Sequence, residues 1–506
     1  EKVGLVKVHL YRPFSAKHLV NVLPKTVKQI AVLDRTKELG ATGEPLYVDV
    51  VTALEQEGRK IDVVVGGRYG LSSKDTQPKH IKGVFDFLSG KPWNSFTVGI
   101  VDDVTNLSVP FDEEYDVKHD YQACLFYGLG SDGTVSANKS SIKIIGDATR
   151  QYAQAYFAYD SRKAGGATRS HLRFGKSPIR STYYIENASF ISCSLDTYLF
   201  KYDMTKNLGQ GGTFLLNTEL SDEELLASMP NRVKYQLARR NARFFVINAN
   251  AIAREVGMGR HTNTILQSSF FYLNPSIMDY EEAKVWMKKL AKETYGRKGE
   301  AVVQKNYAAI DRGSEGLREI KVDKEWLKLK PVKEVALTGD KYFDEFVTPI
   351  ENLEGYDLPT STFTKHGLLD GSMRNDVTFK SKRRIADFVP IWKSENCIQC
   401  NTCSFVCPHG TIRPFLLTAE EVEKLPEAAK KDVIPAMGPG LQGYFFRIQV
   451  SPANCVGCGL CAVVCPGKRG EKALEMVDAK QEMHQEEVAD YLYKGAVYRD
   501  NLLPAA

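Results

Sequence analysis

No run of about eighteen apolar residues occurs in this 506-residue sequence, so no segment reads as a membrane-spanning helix. Blocks of like charge are also missing. Lys and Arg number 67 against 62 Asp and Glu, a net charge of +5 that is too balanced for a nucleic-acid surface. No signal-peptide pattern is visible. Residues 6–10 read as a strand close behind Glu1, which is the expectation for a piece of a longer chain. Cysteine is scarce outside one region: of ten, only Cys124 and Cys193 lie elsewhere. That distribution argues against a disulfide scaffold and points to a reducing compartment, the cytoplasm or a mitochondrion-related organelle in a eukaryote.

What the sequence does hold is concentrated between Cys397 and Cys465. The first run is Cys397-x-x-Cys400-x-x-Cys403-x-x-x-Cys407-Pro408 and the second is Cys455-x-x-Cys458-x-x-Cys461-x-x-x-Cys465-Pro466. Thiolate is a soft ligand, so four on one centre mean zinc or an iron–sulfur cluster. Structural zinc sites space their ligands as two distant pairs, whereas three ligands in such a short run wrap one corner of a cubane. In two-cluster ferredoxins the fourth cysteine of each run serves the other cluster. The spacing therefore assigns Cys397, Cys400, Cys403 and Cys465 to one [4Fe–4S] centre, and Cys455, Cys458, Cys461 and Cys407 to the second. Zinc knuckles or disulfides are the competing readings.

Elsewhere the pattern is α/β: two consecutive α/β domains followed by a two-[4Fe–4S] bacterial-type ferredoxin domain of α+β character. In the first domain, residues 1–110, strands are expected over 6–10, 30–33, 63–65 and 96–101, with helices over 16–22 and 51–56. The loops 34–38 and 66–70 follow strand ends, where ligands of open sheets gather, but each also reads as an ordinary charged turn. In the second domain, 111–323, further strands are expected over 123–127, 212–216 and 242–248, and helices over 136–145, 280–293 and 300–318. Residues 324–382 lose periodicity and read as a connecting segment lying over its neighbours. Residues 383–493 form the third domain. Its long spacer, 408–454, carries an expected helix at 418–430 and strand at 443–450, placed to cover the clusters. Residues 494–506 read as a linker.

One loop in the second domain carries chemistry. A strand is followed by Gly128-Leu129-Gly130-Ser131-Asp132-Gly133-Thr134 and then a helix, which brings backbone N–H groups and a helix N-terminus to one point, an anion site. The glycines satisfy G-x-G-x-x-G, and Asp147 stands where a dinucleotide site has its ribose-binding acid. That reading needs a strand just before Asp147, where the sequence reads equally well as a helix end. Phosphate binding and a mere tight turn both stay open. The runs 160–166, with Arg162 and Lys163, and 257–263, with Arg260 and Asn263, supply further groups suited to phosphate.

The sequence resembles the pyruvate:ferredoxin (flavodoxin) oxidoreductase family across essentially its full length. The residues carrying the resemblance are Leu10-Tyr11-Arg12-Pro13-Phe14, Val32-Leu33-Asp34-Arg35-Thr36-Lys37-Glu38, Gly67-Arg68-Tyr69-Gly70-Leu71, the run Phe126 to Val135, Ile144-Ile145-Gly146-Asp147, and Ser170-His171-Leu172-Arg173. The resemblance implies a central fragment of such an enzyme: a partial domain like the C-terminal domain of transketolase, a CoA-binding domain, and an inserted ferredoxin domain. It implies CoA contacts at Gly130, Ser131, Asp132, Gly133, Thr134, Val135, Lys163, Asn263 and Asn306, with no catalytic residue in this stretch. Its substrates are pyruvate and CoA, and its electron acceptor is ferredoxin or flavodoxin, or an NADP reductase module in a variant of the family. Neither nucleic acid nor membrane is a partner, and the full enzyme is expected to be a homodimer. No Gly-Asp-Gly followed by a later Asn occurs here, so thiamine diphosphate, its Mg and a third [4Fe–4S] cluster are expected outside this stretch. An alternative of another class is a non-catalytic electron-transfer or interaction module.

Overall fold

The computed structural model describes residues 2–130, 132–160, 165–259, 261–332, 337–495 and 497–502, which group into two units, Glu1–Met373 and Arg374–Ala506. The first unit begins with residues 2–15 in no strand, with Leu5 and Leu10 exposed. The strand expected at 6–10 is therefore not formed: the apolar alternation is present, but no neighbouring strand pairs with it. Next come β1 (Gln29–Asp34), β2 (Val63–Arg68) and β3 (Phe96–Thr97), a parallel sheet in the order β1-β2-β3. Helices Pro45–Gln56 and Pro78–Leu88 make the crossovers. Val32, Val50 and Leu54 pack in one core cluster, Val65, Val84, Phe87 and Phe96 in another. Asp34 ends β1 and its carboxylate accepts the N–H groups of Leu46 (2.9 Å) and Tyr47 (3.0 Å), satisfying donors at the start of the next helix. Arg68, at the end of β2, pairs with the buried Glu44 at 2.6 Å. Both motif positions are thus committed to holding loops.

A second, seven-stranded sheet contains β4 (Tyr121–Leu129), β5 (Tyr152–Tyr159), β6 (Ala167–Gly175), β7 (Ala188–Cys193), β8 (Leu208–Asn217), β9 (Arg243–Ile247) and β10 (Arg318–Ile320). Their order is β10-β9-β8-β7-β4-β6-β5; β4, β7, β8 and β9 run parallel, and the β10–β9, β4–β6 and β6–β5 pairings are antiparallel. Helices Thr134–Ala148, Asn263–Leu273, Tyr280–Tyr295 and Glu300–Arg312 cover one face through Ile144, Ile145, Phe270 and Ile310. Helix Asn231–Arg239 covers the other through Val233 and Leu237, which cluster with Leu125, Ile191 and Phe214. The helix expected to run to residue 318 stops at Arg312, and the chain returns as the edge strand β10. The connecting segment is ordered by its neighbours. Thr360 donates its N–H to the Val101 carbonyl (2.9 Å), Ser361 its N–H to Asp103 (2.8 Å), and Lys74 binds the Tyr356 carbonyl (2.6 Å).

Two buried histidines make this unit sensitive to acid. Burial first, then the nearby cation Lys79, holds His80 down at about 4, with Glu113 opposing and Lys74 adding; burial with Arg169 and Arg173 holds His171 at about 3. Each ring accepts a backbone N–H at Nδ1, from Gln77 and Ile185, both at 3.1 Å. Below the ordinary value near 6.5 the unfolded chain binds protons that the native rings refuse, so stability falls as pH drops through that value toward 4. Between pH 7 and pH 5 the loss should be about 2 kcal/mol per ring. Urea denaturation at the two pH values checks this, and His80→Gln should flatten the dependence; an unchanged slope would contradict it.

The second unit pairs β11 (Phe388–Trp392) with β15 (Leu474–Asp478), antiparallel. Between them, β12 (Ile412–Leu417), β13 (Ile434–Pro435) and β14 (Phe445–Val450) form a small sheet in the order β12-β14-β13. The helix expected over 418–430 is two: Ala419–Glu423, started by a Thr418–Glu421 capping box, and Glu427–Lys430 after Pro426, whose ring cannot continue a helix. Arg447 is buried on β14 and donates to the carbonyls of Ala429 and Asp432 (3.0 Å each) and to Gln485, tying the spacer to helix Gln485–Gly495.

Candidate cluster-binding and glycine-loop sites

Each cysteine run bends the chain in the same way. Gln399 (φ 57°) and Asn401 (φ 58°) in the first run correspond to Gly457 (φ 68°) and Gly459 (φ 75°) in the second. The left-handed turns aim the N–H of Gln399 at Cys397 Sγ and that of Gly457 at Cys455 Sγ, each at 3.4 Å. Short helices then follow, Thr402–Phe405 and Leu460–Val464. The result is two hollows of about 340 and 370 Å³ of space not filled by protein, part of it open to solvent. The smaller is lined by Cys397, Cys400, Cys403 and Cys465, the larger by Cys407, Cys455, Cys458 and Cys461. All ten cysteines are unbridged.

The donors suit a group wider than one ion. Among the described residues no three His, Cys, Asp or Glu side chains gather to hold a single metal ion, yet four cysteines line each hollow. Further hydrogen bonds reach the sulfurs: Thr402 Oγ1 to Cys400, Ala473 N to Cys465, and both Thr411 N and Thr411 Oγ1 with Cys407, all at 3.4 Å. Burial pushes the Cys403 thiol up to about 12 and Cys461 to about 11, so near neutral pH these two groups ionise readily only with a cationic centre beside them. Two buried ring nitrogens, Trp392 Nε1 and His409 Nδ1, have no hydrogen-bond partner among the described residues, and each residue lines one hollow.

In the first unit, the glycine loop leaves the end of β4 at the point where the sheet's connections part. The connection after β4 crosses one face of the sheet, while the chain after β7 continues on the other, the switch point at which open α/β sheets place ligands. Asp132 builds the loop from inside. Its carboxylate accepts the N–H of Leu129 (2.8 Å), the N–H (2.7 Å) and hydroxyl (2.8 Å) of Thr134, and the hydroxyl of Ser194 (3.1 Å). Gly130 donates to the Gly166 carbonyl at 2.8 Å, so the residue just ahead of β6 lies against the loop. Gly133 sits at φ +90°, and a Cβ there would come within 2.9 Å of the Asn263 side chain. Thr134 and Asn263 each begin a helix, so two helix N-termini converge on Gly133, an arrangement that favours an anion.

The structure thus brings Gly130, Asp132, Gly133, Thr134, Val135 and Asn263 together. Asn306 is 3% exposed and its amide is used internally: Nδ2 donates to Val302 O (2.9 Å) and Oδ1 accepts Thr264 Oγ1 (3.3 Å) beside Asn263. Ser131, Arg162, Lys163 and Arg260 lie outside the described residues. Asp147 falls in the last turn of helix Thr134–Ala148, so the strand a dinucleotide site requires before its acid is not there, and that reading is overturned. Two supports were not read from the sequence, Ser194 and Asn217. Asn217 donates to the Ser194 carbonyl (3.0 Å) and accepts the Ala249 N–H (2.9 Å), fixing the rim behind Asp132.

Comparison with known proteins agrees with this layout. Residues 123–316 match the model for pyruvate ferredoxin/flavodoxin oxidoreductase, residues 1–81 that for pyruvate:ferredoxin oxidoreductase core domain II, and residues 396–469 that for the 4Fe-4S dicluster domain. A pyruvate:ferredoxin oxidoreductase of Moorella thermoacetica is 48% identical over 486 residues, 95% of this chain and 40% of the relative. A pyruvate-flavodoxin oxidoreductase of Klebsiella pneumoniae is 45% identical over 487 residues, 96% of this chain and 41% of the relative. The mitochondrial pyruvate dehydrogenase [NADP(+)] of Euglena gracilis is 41% identical over 490 residues, 95% of this chain and 26% of the relative. The chain therefore spans about two fifths of the length of the first two relatives. Fold and site define a segment of an iron–sulfur protein, a glycine-loop α/β domain followed in sequence by a 4Fe-4S dicluster domain. The chain belongs to the pyruvate:ferredoxin/flavodoxin oxidoreductase family. No helix of the described residues is long and apolar enough to cross a membrane.

Proposed function

We propose that this chain supplies the CoA-docking and electron-wiring parts of an enzyme that converts pyruvate and CoA to acetyl-CoA and CO2, releasing two electrons and a proton. The observation that carries the reading is the pair of four-thiol hollows, each drawing three cysteines from one run and one from the other. In this reading Cys397, Cys400, Cys403 and Cys465 hold one [4Fe–4S] cluster, and Cys407, Cys455, Cys458 and Cys461 the other; the clusters supply one-electron relays. CoA phosphates dock at Gly130–Val135 between the two helix N-termini, with Asn263 and, outside the described residues, Ser131 and Lys163 as contacts. Asn306 serves the same site through Thr264 and the start of the next helix. The acceptor is ferredoxin or flavodoxin, supported by the names of the relatives, and NADP is the second reading, supported by the Euglena one. A cytoplasmic homodimer is part of the same proposal.

Anaerobic reconstitution followed by calorimetry with CoA tests it. About eight iron atoms per chain are expected, together with CoA binding that a Gly133→Ala variant weakens; iron loading without any CoA binding would favour a bare electron-transfer module. Residues 1–506 by themselves should not reduce viologen with pyruvate, since they hold no Gly-Asp-Gly…Asn pattern for thiamine diphosphate. Pyruvate-dependent viologen reduction by this segment would refute that statement.

A further inference from the structure

We propose that the indole N–H of Trp392 donates a hydrogen bond to a sulfur of the cluster held by Cys397, Cys400, Cys403 and Cys465, and thereby raises the reduction potential of that cluster alone. The inference rests on the cluster assignment above and goes beyond it, by naming a residue outside the ligand set as a positioning and tuning group.

Trp392 is the last residue of β11, paired with Leu474 of β15, and Ala473 beside that partner donates its N–H to Cys465 Sγ at 3.4 Å. The strand register therefore sets the indole at the wall of the smaller hollow, which it lines together with the four cysteines. Phe446 meets the ring edge-on, with centroids 6.3 Å apart. The indole nitrogen is a donor only, and here it is buried with no acceptor among the described residues. A donor left in that state costs about 1–3 kcal/mol. Water is a poor remedy, because Ile448 and Leu474 make this wall apolar. The acceptors that belong in the hollow are sulfurs.

A hydrogen bond to cluster sulfur is worth more when the cluster carries the extra electron, so it favours the reduced form. The other donors on this side are the backbone N–H groups of Gln399 and Ala473 and the Thr402 hydroxyl. None of them belongs to the cluster of the larger hollow, where His409 Nδ1 is the corresponding orphaned ring nitrogen. The effect of Trp392 is therefore confined to one centre, and the second serves as an internal reference.

The test uses the full-length cluster-loaded enzyme containing this chain, with Trp392→Phe and, as a shape-preserving replacement, benzothienylalanine at position 392. EPR-monitored redox titration is expected to show one midpoint displaced to more negative potential in both variants, by about a tenfold change in the reduction equilibrium, which is about 59 mV for one electron. The other midpoints, including that of the cluster outside this chain, stay in place. Proton ENDOR in deuterated buffer should lose one exchangeable coupling of the displaced signal. Unchanged midpoints, or a shift in the phenylalanine variant that the isostere does not reproduce, would overturn the proposal, the latter assigning Trp392 a packing role only. Failure of the cluster assignment reads differently: the unmodified enzyme, expected to hold three clusters, would then load fewer, or Cys397→Ala would leave every signal intact.

Discussion

Replacing Cys407 by alanine is expected to remove the EPR signal that Cys455→Ala also removes, and to spare the one lost in Cys397→Ala. Cys465→Ala should behave as the mirror image, grouping with Cys397→Ala. The argument is geometric. Cys407 stands only four residues beyond Cys403, yet it lines the hollow of Cys455, Cys458 and Cys461, while Cys465 lines that of Cys397, Cys400 and Cys403. Thr411 fixes Cys407 there with both its N–H and its hydroxyl at 3.4 Å. Loss of one of four thiolates opens an iron coordination site and exposes the cluster to solvent. Electron transfer through a one-electron relay then stops, so acceptor reduction by the full-length enzyme should fall at least a hundredfold, roughly the upper end of metal-site perturbations. Iron analysis and EPR of the four variants decide the matter. Grouping by run, Cys407 with Cys397 and Cys465 with Cys455, would sink the crossed assignment.

The grouping of the cysteines around two hollows was legible in the sequence because each run repeats the same spacing: the first three cysteines suit one corner of a cubane, and the fourth is carried onward by a short helix. What surrounds the hollows was not legible. Trp392 lies outside both runs and reaches its hollow only through the β11–β15 register, which links residues far apart in sequence. The division of the expected helix at Pro426 shows the reverse case, in which one residue type decided the local structure and the apolar periodicity around it did not.

In the α/β domain the strand, glycine loop and helix were readable because each depends on neighbouring residues. Strands β5 and β6 were not. β5 carries apolar side chains on both parities, and β6 buries Ser170, His171 and Arg173, polar groups whose place inside is set by distant partners. Arg173, for example, is held by Gln154 (3.1 Å) and by the Tyr183 carbonyl (2.6 Å). The opposite error arose at residues 6–10, where alternation without a pairing neighbour leaves an exposed segment. Ser194 and Asn217 gave no signal for a similar reason: each acts on the loop through a sheet neighbour that sequence order does not reveal.

Asp132→Ala should weaken CoA binding by more than tenfold while the protein still folds. The carboxylate gathers four donors, from Leu129, Thr134 and Ser194, and thereby fixes the backbone path on which Gly130 and Gly133 stand. Without it the loop is half-exposed and water can replace some partners, so the stability cost is about 1–3 kcal/mol, the range for one unsatisfied polar group. The binding cost has its own cause: the N–H groups that would face phosphate lose their common direction, and each factor of ten in affinity corresponds to about 1.4 kcal/mol. Removing a negative charge beside an anion site acts the other way and should by itself improve phosphate affinity. Asp132→Asn separates the two effects: it keeps one acceptor oxygen and discards the charge, so it should bind CoA better than Asp132→Ala. Calorimetry with CoA and urea titration on the same variants give both quantities. If Asp132→Ala lost stability but kept its CoA affinity, the phosphates would have to dock elsewhere, and the two converging helix N-termini at Gly133 would be left with a purely structural role.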